Sequence, residues 1–169
     1  MSTTTPNTTD RLTLPTRIAE PARDTGLLLI RVTLGGLFVF HGSAKFTAGI
    51  DGFAGYLDSL GVPFPLLNAY LAAGTEVVAG VAVALGLFTR LASIPLAFTM
   101  AVAFFTAKGA QLSAQGGGGE YPLALGLVAV ALVLTGPGRF NLTTPLLRLI
   151  GSKRIALQAK HASAIAVSA

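Results

Sequence analysis

The sequence contains no cysteine, which excludes disulfides, thiolate metal sites and thiol redox relays within this chain. It is also poor in charge. Only 11% of its 169 residues are Asp, Glu, Lys or Arg, against about 25% in an ordinary soluble domain, while 52% are hydrophobic. A shortage on this scale excludes an ordinary soluble core and predicts an all-α polytopic membrane protein forming one compact domain. The net charge of +5 comes largely from residues outside the apolar runs. Membrane topology therefore accounts for it, and no nucleic-acid partner is expected. No cleaved signal peptide is expected either, because the stretch before Gly26 is polar, contains Pro6, Pro15 and Pro21, and lacks an apolar core with a cleavage site. No flavin, haem or metal motif is recognisable. His41 and His161 are too far apart in sequence to suggest a metal site, and the run Gly116–Gly119 lacks the Lys and Ser/Thr of a phosphate loop.

Four apolar stretches predict a four-transmembrane-helix bundle: about Gly26–Phe46, Leu66–Phe88, Leu91–Lys108 and Tyr121–Thr135. The first three approach the ~20 residues needed to cross a ~30 Å hydrocarbon layer, and the fourth is short. Residues 1–23 read as a flexible or interfacial segment, disordered over 1–10 and lying at the headgroups from 11 onward. The membrane domain spans 24–150, and 151–169 reads as a basic flexible tail. Arg11, Arg17, Arg23, Arg90, Arg139, Arg148, Lys153, Arg154 and Lys160 flank one side, and loop 47–65 has Asp51 and Asp58 but no cation. The positive-inside rule then places both termini in the cytoplasm. Phe53, Tyr56, Leu57 and Leu60 fall at helical spacing before Gly61 and Pro63, which predicts a short interfacial helix in the first outer loop. The glycines at 116–119 suggest a hinge, and Pro95 a kink in the third span.

Glu76 stands alone in the second apolar stretch. A charge at bilayer depth costs roughly 2.5–3.5 kcal/mol on insertion scales and calls for a partner. Arg31, His41 and Lys45 in the first stretch project within about 80° of one another, on a stripe with Leu34 and Phe38. Helix arithmetic predicts an inner pair Arg31–Glu76 and an outer group of His41, Lys45 and Glu120. A structural reading stands beside each: a register-fixing salt bridge for Arg31–Glu76, a snorkelling Lys45, a helix-end His41 and an acid at a helix N-terminus for Glu120. The small residues of the second stretch, including Ala73, Gly80 and Ala84, predict close helix packing. The Gly80–Ala84 spacing would also suit a homo-oligomer.

Arg31 with His41-Gly42-Ser43-Ala44-Lys45, then Leu60-Gly61-Val62-Pro63, resembles the opening of the DoxX family. Glu76-Val77-Val78-Ala79-Gly80 and Leu85-Gly86-Leu87-Phe88-Thr89-Arg90 resemble its second span and inner turn, and Glu120 with Gly136-Pro137-Gly138-Arg139 its close. The similarity covers about 24–142. Family members often continue the last segment with Ser-Leu-Asp, where this chain has Asn141-Leu142-Thr143. The resemblance implies a four-helix protein of the bacterial cytoplasmic membrane, related to the membrane subunit of thiosulfate:quinone oxidoreductase. It also implies a soluble or membrane oxidoreductase partner, besides the lipid bilayer.

Three functions fit this reading. In the first, the chain is a membrane subunit of a redox system that places a dissociable quinone or small sulfur compound near the polar cluster. His41 and Glu76 would move protons as the catalytic pair, while Arg31, Lys45 and Glu120 bind ligand or form ion pairs. In the second, the charges line a small-molecule or proton pathway. In the third, they only fix the fold of a scaffold or assembly factor.

Overall fold

A segment rich in apolar side chains in a bilayer must satisfy its own backbone polar groups, and a helix does so within one segment. The computed structural model describes residues 16–107, 112–113 and 117–152, and these form helices and no strand. Helix α1 covers Thr16–Thr47, α2 Ile50–Ser59, α3 Pro65–Leu85 and α4 Thr89–Val102, the last continued by a π-helical turn, Ala103–Ala107. Helix α5 covers Glu120–Thr135, and residues 143–152 are helical and are labelled α6. The expected disorder of 1–10, the tail from 153, Lys108 and Gly116 lie outside the described residues.

Among the described residues, three segments are long and apolar enough to cross a membrane: Glu20–Thr47, Pro65–Leu85 and Thr89–Ala107. The fourth apolar stretch is also a helix, α5, but its 16 residues give it a length of only about 24 Å. The first helix starts at Thr16, ten residues before Gly26, and runs through Pro21; its part long and apolar enough to cross a membrane begins at Glu20. Pro21 is the sixth residue of the helix, where it removes one ladder bond and crowds the preceding turn, and the hydroxyl of Thr25 donates to the carbonyl of Pro21 at 2.8 Å.

Small residues decide how closely the helices approach. Helices α1 and α3 lie antiparallel with Gly35 against Gly80 and Ala84, and Gly42 against Ala73, Glu76 and Val77. A Cβ on Gly80 would sit 2.9 Å from the carbonyl oxygen of Gly35, so the two backbones touch where a side chain would otherwise separate them. Helix α4 packs on α3 and more extensively on α5, turning Thr89, Ser93, Leu96 and Met100 inward at i, i+4, i+7 and i+11. Leu34, Phe38, Val83, Leu96, Ala129 and Leu132 fill the centre. Helices α1 and α5 meet less closely and leave an open apolar groove of about 290 Å3 between them, lined by Leu29, Ile30, Leu34 and Leu37 of α1 and by Leu125 and Val128 of α5. The outer surface is apolar, with Phe40, Val78, Phe98 and Leu134 all at least two-thirds exposed. Such a surface suits contact with lipid chains.

Helix α2 covers Phe53, Tyr56 and Leu57 and ends just before Leu60. It packs on α3 and buries Ala54. Gly61, at φ +73°, lets the chain reverse so that its amide donates to Asp58 and that of Val62 to Leu57; this is the left-handed helix end that glycine adopts most readily.

Candidate functional site

The polar side chains collect at two ends of the bundle. At the end where α1 finishes, the ammonium of Lys45 forms an ion pair with Glu76 Oε2. The Glu76 side chain is 3% exposed and that of Lys45 23%, so the carboxylate depends on the pair while the lysine keeps some access to the surroundings. Gly42, one turn before Lys45, packs directly on the Glu76 Cβ; its missing side chain is what lets the α3 carboxylate come so close to α1. Lys45 Nζ also lies 5.1 Å from the centre of the Phe53 ring on α2, a cation–π arrangement. His41, also one turn before Lys45, makes a 2.9 Å hydrogen bond between Nε2 and the hydroxyl of Tyr121 on α5. The tautomer of the imidazole decides which group donates. His41 and Lys45 line one open cavity of about 350 Å3, bounded by Gly49, Gly52 and Phe53. The arrangement gathers an ammonium, a carboxylate, an imidazole and a phenol, which together supply hydrogen-bond donors, an acceptor and groups able to carry protons.

The opposite end is tied together by backbone groups. Arg31 is fully buried and its Nη2 donates to the carbonyl of Phe140. Its Nε and Nη1 have no partner among the described residues. The buried carboxylate of Asp24 accepts the Arg139 amide at 3.1 Å. Thr143 clamps the α3–α4 turn: its hydroxyl accepts from the Phe88 amide at 2.7 Å and donates to the Gly86 carbonyl at 2.8 Å. Asn141 Oδ1 accepts from the amide and hydroxyl of Thr144 at 2.9 and 3.0 Å, which caps α6.

The expected inner pair Arg31–Glu76 is not formed. The contacts of Gly35 and Gly42 put Glu76 level with Gly42, and Arg31 approaches Gly86 at the far end of α3. About ten residues of helix, or ~15 Å, separate the two charges, more than an arginine side chain spans. The reason is axial register: with Gly35 opposite Gly80 and Ala84, the end of α3 at Leu85–Gly86 comes level with Arg31, which therefore lies at one end of the α1–α3 contact while Glu76 lies toward the other. Of the expected group of His41, Lys45 and Glu120, the first two come together, with Glu76 as the acid. Glu120 is exposed at the start of α5 and makes no ion pair among the described residues; its neighbour Tyr121, itself half-exposed, bonds His41 instead. Tyr121, Phe53, Asp24 and Thr143 were missed. Two of them had a signal: Tyr121 follows an acid expected level with His41, and Asp24 precedes Arg31 by two helical turns on the same face. Among the described residues no cluster of three His, Asp or Glu could hold a metal ion.

Comparison with known proteins places this geometry in context. A family model described as DoxX matches residues 26–109. The Bacillus subtilis protein named "Putative oxidoreductase CatD" is 38% identical over 112 residues, covering 66% of this chain and 79% of its own length. The Escherichia coli "Inner membrane protein YphA" is 39% identical over 83 residues, covering 48% of this chain and 59% of that protein. A Mycobacterium tuberculosis membrane protein is 31% identical over 129 residues, covering 69% and 78%. No solved structure matches the chain.

Proposed function

Because this chain belongs to the DoxX family, we propose that it is the membrane subunit of a redox system and that it receives a quinone head group beside His41, Lys45 and Tyr121. One observation carries the reading: His41 and Lys45 line a common cavity, with the buried carboxylate of Glu76 paired behind it. In quinone reduction, two electrons come from a partner oxidoreductase and two protons from the site, giving the quinol. Lys45 polarises one carbonyl through a charge-assisted hydrogen bond. The His41–Tyr121 pair delivers the two protons in turn, one to each quinone oxygen, and the exposed His41 is reprotonated from solvent after each transfer. Glu76 holds the ammonium in place and balances its charge. A small anionic sulfur compound would use the same cation. The oxidoreductase name carried by the Bacillus relative agrees with this class of chemistry.

On this reading α5 is a fourth crossing, which gains length from its flanks or from local thinning of the bilayer. Residues 24–150 make up the membrane domain of a bacterial cytoplasmic-membrane protein with both termini inside, and α2 lies at the outer interface. Arg31, at the other end, is a structural tie and not part of this site. A continuous proton pathway is disfavoured by the apolar layer of Leu34, Phe38, Val83, Leu96 and Leu132 between the two polar ends. The test is quinone reduction in membranes containing the partner proteins, with His41→Ala and Glu76→Gln variants. Loss of activity at normal expression supports the site. Unchanged activity in both variants overturns it and leaves the scaffold reading.

A further inference from the structure

A second polar constellation lies at the Arg31 end, away from the redox site and independent of it. The turn from α3 into α4 joins two spanning segments, so it sits at a membrane boundary. There α4 begins with no acidic residue in its first turn and no side-chain cap, and the amides of Thr89, Arg90 and Leu91 have no hydrogen-bond partner among the described residues. A helix start of this kind favours an anion. It opens into a pocket of about 250 Å3 between α4 and the 137–144 segment, lined by Thr89, Arg90, Asn141, Thr143 and Thr144 among others.

Two further observations indicate what the pocket takes. Thr89 lines it while being only 1% exposed, and its hydroxyl has no partner among the described residues, which is costly for a buried polar group. Arg90 is exposed and makes a single long bond, 3.5 Å, to the carbonyl of Leu134, which leaves most of its guanidinium fork unused. No Asp or Glu occurs anywhere in 77–169 except Glu120, which begins α5 at the opposite end, so no carboxylate on the elements forming the pocket competes for these donors. The nearest acid on another element, Asp24, is engaged with the Arg139 amide. The rim is apolar and open to the bilayer: Leu91, Ile94 and Phe98 are exposed along α4.

We propose that this pocket binds the phosphodiester headgroup of an anionic phospholipid, with Arg90, the Thr89 hydroxyl and the α4 amides on the phosphate and the acyl chains lying along Leu91, Ile94 and Phe98. An arginine fork matches phosphate oxygens in bidentate geometry, and the membrane supplies this ligand at high local concentration.

The test uses the full chain, purified in neutral detergent and titrated with phosphatidylglycerol, phosphatidylcholine and inorganic phosphate under native mass spectrometry. Phosphatidylglycerol should bind more tightly than phosphatidylcholine. Arg90→Gln should weaken it about tenfold, as loss of one charge-assisted contact implies, and Thr89→Val should weaken it with recovery in Thr89→Ser. Arg23→Gln, an exposed charge at the same end of α1, should change binding less than twofold. Equal affinity for the two lipids would overturn selection of an anionic headgroup, and equal weakening by Arg23→Gln and Arg90→Gln would overturn the proposal in favour of diffuse charge attraction. Saturation by inorganic phosphate that phosphatidylglycerol does not displace would overturn the lipid assignment. If Thr89→Val does not fold, the exposed Arg90 carries the decision.

Discussion

The contact between Gly35 and Gly80 sets the spacing of α1 and α3, and through Gly42 the reach from Lys45 to Glu76. In Gly35→Ala the new methyl would stand 2.8 Å from both the Cβ and the amide nitrogen of Ala84, and closer still to the carbonyl of Gly80. Restoring an ordinary 3.4 Å contact requires the helices to part by at least about 0.6 Å, and the obstructing atoms are mostly backbone that cannot rotate away. Overpacking of this kind costs about 1–3 kcal/mol. Gly36 is the internal control. A Cβ there meets nothing within 4 Å, so Gly36→Ala should raise stability by up to ~1 kcal/mol through helix propensity alone. Unfolding in mixed micelles with increasing denaturing detergent, followed by far-ultraviolet circular dichroism, measures both. Equal stability of the two variants would refute the close-packed crossing.

Three other predictions follow from the same geometry. Lys45→Met should destabilise by about 3–5 kcal/mol because it strands the buried Glu76, whereas Glu76→Gln should cost less, since the partly exposed Lys45 can reach water. The double variant should then be more stable than Lys45→Met alone, as a double-mutant cycle of unfolding free energies would measure. Tyr121→Phe removes a hydrogen bond at an exposed position and should change stability by less than about 1 kcal/mol, while lowering quinone-linked turnover at least tenfold. Thr143→Val deletes both bonds that clamp the α3–α4 turn and should cost about 1–3 kcal/mol, read from the same unfolding curves.

Much of the architecture was legible because membrane helices advertise themselves by length and hydropathy: α3 lies within one residue of its expected start, and α5 begins one residue early. Glu76 was legible as a site residue for the same reason, being a charge where charge is costly. Its partner was not. Axial level depends on the register in which two helices cross, here set by Gly35 against Gly80 and Gly42 against Glu76, and hydropathy does not encode that register. The acceptor for Arg31 was illegible in principle, because it is the backbone carbonyl of Phe140 and every residue carries one. Thr143 belongs to the same class: a threonine in a loop says nothing of the distant turn it bonds. The glycines of α1 were ambiguous in another way, since Gly35 and Gly36 are adjacent and only the observed crossing reveals that the first touches α3 and the second does not.

The two ends of the bundle are fastened by different means, and this has a mechanical consequence. At the Arg31 end, the chain after α5 is stitched by hydrogen bonds across α1 and the α3–α4 turn. At the other end, a single side-chain bond among the described residues, between His41 and Tyr121, joins α1 and α5. Thermal fluctuation will therefore swing α5 about the stitched end, with amplitude greatest where its tyrosine meets the histidine. Hydrogen exchange should be slow around 138–144 and quicker at the first turns of α5, a gradient that grades the bundle from a stiff base to a compliant mouth.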